Sequence, residues 1–140
     1  MRLSSTFVDR IVRHVNRKNW WHVPPRDPRA YLKRGKFFAS SFHEAEFWGR
    51  PLDEPQRVCV SKPLIGDEPT IEKKLFGRTV SDEDVSVEER WSLDARMKKR
   101  ALEMGYDSIV LVSPKEFSVF RTHGKLPRRI ELNVLNPSQR

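Results

Sequence analysis

The spacing of the apolar residues changes along this 140-residue chain, and the change limits the possible folds. Near the N-terminus, Phe7, Ile11 and Val15 recur at the spacing of one helix face, with arginines on the opposite side. Later runs, 107–112 (DSIVLV) and 129–135 (RIELNVL), have the composition of strands. Because the segments lack a regular strand–helix–strand alternation, the pattern predicts one α+β domain over 1–140. It comprises an N-terminal basic amphipathic helix (1–18) and a core (19–140).

Caps, chain breakers and periodicity predict the remaining elements. Strands are expected over 19–23 and 56–64, and residues 35–49 (GKFFASSFHEAEFWG) are expected to form a strand that turns into a short helix. Further helices are expected over 27–35, 70–76 and 86–104, the last with Trp91 along its apolar side and Gly105 after its end. Residues 63–69 (PLIGDEP) are predicted to be a turn, and residues 114–127 a basic loop.

Charge and cysteine content limit the partners and the chemistry. A formal net charge of +8 and a pI of about 10.0 fit a protein with acidic partners such as nucleic acid, or equally a merely soluble basic protein. Cys59, the only cysteine, excludes an intrachain disulfide and a cysteine-based zinc site, and its apolar neighbours predict that it is buried. No two histidines have metal-ligand spacing, so no metal is expected. Without a signal peptide or a membrane-spanning stretch, a cytoplasmic setting is expected.

Several side chains are candidates for chemistry, each with a structural alternative. His22, in the strand-like run WWHV, lines a cleft or is a hydrogen-bonded core residue. Glu131, in the last strand, points to solvent or faces a cleft in which it stabilises positive charge. The aromatic residues of 35–49 belong to the hydrophobic core or form a slot for a flat ring. Five basic residues from Arg26 to Lys36 form a solvated face or a phosphate-binding site. The glycine-rich motifs of P-loop and Rossmann proteins are absent.

Taken in order, these segments resemble ADP-ribosyltransferases of the His-Tyr-Glu type, the group that includes diphtheria toxin and the poly-ADP-ribose polymerases. Those enzymes have a first-strand histidine, a G-x-Y/F-F-A strand with a following serine-bearing helix that contains A-x-Y, and a later strand glutamate. In this chain WWHV supplies His22, GKFFASSFHEAEF supplies the strand and helix, and RRIELNVLNPSQ supplies Glu131. GYDSIV and that last segment resemble the end of small bacterial and phage-type members. The similarity covers most of 20–139 except the middle.

The resemblance implies a split β-sheet core flanked by short helices, and a site that uses NAD as substrate without a metal. Glu131 and His22 are implied to be catalytic, the first at the developing oxocarbenium ion and the second at the adenosine ribose. Six residues are implied to contact NAD, namely His22, Arg26, Phe37, Ser40, Ser41 and Phe47. Among them, Phe37 stands where the family has tyrosine, which keeps the stacking face and loses the hydroxyl.

The implied activity is mono-ADP-ribosyl transfer from NAD to an acidic macromolecule, which is DNA or RNA or otherwise a protein. A second hypothesis is a non-catalytic module of the same fold that binds nucleic acid or protein. A third is an unrelated basic nucleic-acid-binding protein whose working surface is the N-terminal helix and residues 115–129.

Overall fold

A computed structural model describes residues 4–22, 35–40, 55–80 and 86–135. The elements, in chain order, are α1 (Ser5–Arg17), β1 (Trp21–His22), β2 (Lys36–Ala39), β3 (Pro63–Gly66), α2 (Glu68–Phe76), α3 (Val87–Glu103), β4 (Ser108–Leu111), α4 (Pro114–His123) and β5 (Glu131–Val134). The strands form one five-stranded sheet in the order β1-β2-β5-β4-β3, in which only β3 and β4 are parallel. This mixed sheet confirms the α+β prediction. The split of the sheet implied by the resemblance is not seen among these residues.

Different helices cover the two faces of the sheet. Because side chains alternate along a strand, Phe38, Val110 and Leu132 lie on one face, whereas Ile109 lies on the other. The first face packs against buried residues of α1 and α4, which are Ile11, Val15, Phe117 and Phe120. The second face packs against buried residues of α2 and α3, which are Ile71, Leu75, Leu93, Met97 and Ala101. We call these helices, with their flanking loops, the α1–α4 layer and the α2–α3 layer.

Side-chain caps determine where the helices begin. Each of the four helices starts after a residue whose side-chain oxygen accepts a hydrogen bond from the backbone N–H three positions later. These residues are Ser4, Asp67, Ser86 and Ser113. The predictions of α1, α2 and α3 are confirmed within about two residues, which is the usual uncertainty of helix ends. Gly105, with φ of 91°, follows α3 as predicted.

The strand predicted over 56–64 is wrong for most of its length. Gln56 forms only an isolated bridge with Trp20, through two backbone hydrogen bonds of 2.8 and 2.7 Å. The true strand, β3, begins at Pro63, inside the segment predicted to be a turn. Leu64 packs toward the α2–α3 layer and Ile65 toward the α1–α4 layer. A strand that is buried on both faces is continuously apolar, so it lacks the alternation of apolar and polar residues by which a half-exposed strand is identified in a sequence.

Three further predictions are corrected. Residues 114–127 are not all loop, because Pro114 occupies the first turn of α4, a position that favours helix initiation, and Phe117 and Phe120 are buried. Cys59 is exposed, since its two valine neighbours take the buried positions of this segment. Trp91 is 50% exposed, whereas its spacing predicts a place on the apolar side of α3.

The helices predicted over 27–35 and after residue 40 lie outside the described residues. No helix within the described ranges is long and apolar enough to cross a bilayer.

Candidate functional site

Glu131 lies at the centre of the sheet, at the start of β5. It is in register with Ala39 of β2 on one side and with Leu111 of β4 on the other. Its side chain therefore belongs to the face covered by the α2–α3 layer, the same face as Phe37. Sheet register thus places the half-buried Glu131 on a face covered by helices, whereas an exposed position was one of the two sequence-based alternatives.

A small cavity lies between this part of the sheet and the α2–α3 layer. Its volume is about 20 Å³, which is sufficient for about one water molecule. The lining residues are Phe37, Glu68, Arg90, Asp94, Met97, Ile109, Leu111, Glu131 and Asn133. The sheet contributes three apolar side chains together with Glu131 and Asn133, whereas the two helices contribute three charged groups and Met97. The cavity therefore combines an apolar wall with a cluster of ionisable groups.

Arg90 links the two helices on the charged side of the cavity. Its guanidinium donates to the carboxylate of Glu68 at the start of α2 and lies 3.3 Å, Nε to Oδ1, from Asp94 one turn farther along α3. Both pairs are only partly exposed, so solvent screens them less than it screens surface pairs. Arg90 is thus held between two carboxylates, with Glu131 as a third carboxyl in the same cavity.

This environment changes the acidity of Glu131. Burial raises its pKa from 4.5 to about 7, because the charged form loses hydration. The negative charges of Asp94 and Glu68 act in the same direction, whereas the positive charge of Arg90 opposes them. A carboxyl group with a pKa near 7 exchanges its proton at neutral pH, a property often found in catalytic acids and bases.

Two neighbouring features hold β2 close to β5, the strand that carries Glu131. Gly35 precedes β2 with φ of 89°, and any side chain at this position would collide with Asn133 of β5. At the other end of β2, Ser40 is buried and its hydroxyl accepts a hydrogen bond of 3.2 Å from the N–H of Ile130. Ser40 therefore holds the residue immediately before Glu131 and does not line the cavity.

The structure does not bring His22 to this cavity. His22 is in register with Phe38, and Phe38 with Leu132, so the imidazole lies on the face opposite Glu131. It is 2% exposed, and its ring centroid is 5.3 Å from that of Phe38. Its Nδ1 is 2.8 Å from the carbonyl oxygen of Phe37. Since a carbonyl can only accept, Nδ1 carries the proton and donates it.

Of the seven predicted site residues, the structure brings Glu131 and Phe37 together at the cavity and places His22 and Ser40 elsewhere in the sheet. The other three, Arg26, Ser41 and Phe47, lie outside the described residues. Three charged residues of the cavity, Glu68, Arg90 and Asp94, are not predicted from the sequence. The helical i,i+4 spacing of Arg90 and Asp94 indicates that they form a pair, but nothing in the sequence indicates that they face β5.

The described residues contain no group of three His, Cys, Asp or Glu side chains placed to hold a metal ion. Comparison of the chain with protein-family models, with curated proteins and with solved structures gave no match. The similarity to ADP-ribosyltransferases therefore stays a prediction that depends on the motifs quoted above.

Proposed function

We propose that this protein is an NAD-dependent mono-ADP-ribosyltransferase in which Glu131 is the catalytic carboxylate. The observation that carries this proposal is the shared position of Glu131 and Phe37, which line one cavity on the same face of the sheet. The pKa of Glu131, raised to about 7, supports it further. A substantial fraction of this group is ionised at neutral pH, within a mostly apolar wall that strengthens its electrostatic effect.

The proposed reaction begins with cleavage of the bond between the ribose C1′ and the nicotinamide nitrogen. The bonding electron pair leaves with the nitrogen, so neutral nicotinamide departs and C1′ acquires positive charge. The ionised carboxylate of Glu131 stabilises that charge. An oxygen or nitrogen of the acceptor then bonds to C1′ and releases one proton, which a carboxylate with a pKa near 7 can accept.

Phe37 supplies an aromatic face for the nicotinamide ring. The cavity has room for about one water molecule, so on this proposal the ring lies at its mouth. His22 has a different role here from the one that the resemblance implies. It is a positioning residue, because its hydrogen bond to the Phe37 carbonyl fixes the strand that carries the aromatic ring.

The test measures nicotinamide release from NAD and transfer of labelled ADP-ribose to nucleic acid or to protein. Glu131→Gln keeps the size of the side chain and removes its charge, so nicotinamide release should fall about 100-fold or more. Glu103→Gln is the matched control, because this exposed residue forms a surface pair with Arg100 at 3.9 Å and does not line the cavity. For the wild type, the rate should rise as the pH passes about 7, where the proton leaves Glu131. Release that survives Glu131→Gln would overturn the assignment.

A second candidate function is a non-catalytic module that binds nucleic acid or protein. The position of His22 on the opposite face from Glu131 favours it, because the two implied catalytic side chains do not meet. Calorimetry distinguishes the two candidates. The module should show no heat of NAD binding and should bind its macromolecular partner equally well with Glu131 or glutamine at this position.

A further inference from the structure

The two helical layers differ greatly in charge. On the α1–α4 side, residues 4–19 and 113–129 contain nine lysines and arginines and two acidic residues. On the α2–α3 side, residues 67–80 and 86–107 contain eight basic and eight acidic residues. The sheet separates the two layers, so nearly all of the positive surplus of the described residues lies on one side of the protein.

Part of this surplus forms a continuous line along α1. Arg10, Arg13 and Arg17 follow the i, i+3, i+7 spacing of one helix face and span about 10 Å. Arg13 and Arg17 are exposed, whereas Ile11 and Val15, on the opposite side of the helix, are completely buried. The charged face of α1 is therefore directed to solvent at Arg13 and Arg17, whereas Arg10 is half-buried.

Neighbouring segments extend the line at both ends. At one end, the Arg10 guanidinium lies beside Gly124 in the loop after α4, since a Cβ built on this glycine would be 3.0 Å from the Arg10 Nη1. The exposed Lys125 follows Gly124 in the chain. At the other end, the exposed Arg57 donates through Nη2 to the carbonyl oxygen of Asn16 at 3.0 Å. We call Arg10, Arg13, Arg17, Arg57 and Lys125 the basic stripe.

We propose that the basic stripe binds the phosphate backbone of double-stranded DNA. A row of arginines on an exposed helix matches closely spaced phosphates, and the major groove of B-form DNA, about 12 Å wide, admits a helix. Duplex RNA is a poorer fit, because its major groove is deep and narrow.

Two other polyanionic partners fit the α1–α4 layer less well. Single strands are held by exposed aromatic rings, and the only large apolar side chain exposed among the described residues, Trp91, belongs to the other layer. A membrane-surface helix inserts its apolar face into lipid, whereas the apolar face of α1 is already buried in the core.

The stripe and the Glu131 cavity lie on opposite sides of the sheet. DNA on the stripe would therefore anchor the protein and leave the cavity accessible. The inference rests on the proposed function only where it makes DNA, or a protein bound to it, the target of ADP-ribosyl transfer. Binding itself requires neither NAD nor Glu131, so each proposal can fail without the other.

The test measures fluorescence anisotropy of a labelled duplex of about 20 base pairs between about 50 and 200 mM salt. Arg13→Gln combined with Arg17→Gln removes two exposed charges from the stripe. Lys74→Gln combined with Lys99→Gln is the matched control, because it removes two exposed charges from the α2–α3 layer. The stripe variant should bind the duplex at least about tenfold more weakly, and its salt slope should fall by about 2. The control should stay within about twofold of wild type.

Four results would overturn the inference: no duplex binding, equal losses in the two double variants, tighter binding of the single strand or of duplex RNA, and binding to anionic lipid vesicles alone. Both variants change only exposed residues, and a thermal melt confirms that each is folded. A wild-type protein that releases nicotinamide but does not bind the duplex refutes this inference alone. DNA binding without nicotinamide release refutes the proposed activity alone.

Discussion

Replacement of Glu131 by glutamine should make the protein more stable at alkaline pH, even though it removes the proposed catalytic group. The reason is the cost of ionising a carboxyl group in this cavity, which raises the pKa of Glu131 from 4.5 to about 7. A group whose pKa is raised in the folded state contributes stability below its unfolded pKa, and this contribution is lost as the pH rises through the folded pKa. Glutamine is uncharged at every pH and does not incur this loss.

The shift from 4.5 to about 7 sets the size of the effect. One pKa unit corresponds to about 1.4 kcal/mol, so the full difference in unfolding free energy is about 3 kcal/mol at pH 8. Residual contact with water reduces this figure, and we expect between about 1 and 3 kcal/mol. At pH 4 the carboxyl is protonated in both folded and unfolded chains, and the two proteins should differ little.

Urea unfolding at intervals from pH 4 to pH 8 measures this difference. The free energies of wild type and Glu131→Gln should separate progressively between about pH 4.5 and 7. Glu103→Gln should follow the wild type throughout, since an exposed pair contributes little. A Glu131→Gln protein that is less stable than wild type at pH 8, or a difference that does not vary with pH, would refute the account of the cavity.

Two further predictions concern charged groups in and near the sheet. Arg90→Gln should raise the pKa of Glu131 further and Asp94→Asn should lower it, so the pH midpoint of nicotinamide release should move in opposite directions in the two variants. A shift in the same direction in both would exclude a direct electrostatic effect. Burial alone would raise the pKa of Asp107, but hydrogen bonds from Ser61, Lys62 and Ser108 hold it below its usual value. Asp107→Asn should therefore lower the unfolding free energy, measured by urea unfolding, by about 1–3 kcal/mol at neutral pH. The difference from wild type should shrink as acid protonates the wild-type carboxyl. A difference that persists in acid would contradict the role of these hydrogen bonds.

Local signals in the sequence were sufficient to predict several elements. The apolar spacing of α1 predicts a helix at the N-terminus, and Gly105 marks the end of α3. Such caps and periodicities act between residues a few positions apart, so they can be identified without knowledge of the fold. Prediction failed where burial depended on distant partners. Leu64 and Ile65 belong to a strand only because β4 and both helical layers surround them.

The candidate site divides in the same way. The sequence by itself identified Glu131 and Phe37 as candidates and established the large positive charge. Only the tertiary structure decided that these two side chains share a face, that His22 lies on the other, and that Arg90 joins Glu131. The physical reason is that sheet register and helix packing depend on contacts between residues far apart in the chain. Charge and residue type are properties of the sequence, whereas the face on which each charge lies, and the pKa that it acquires there, depend on the assembled fold.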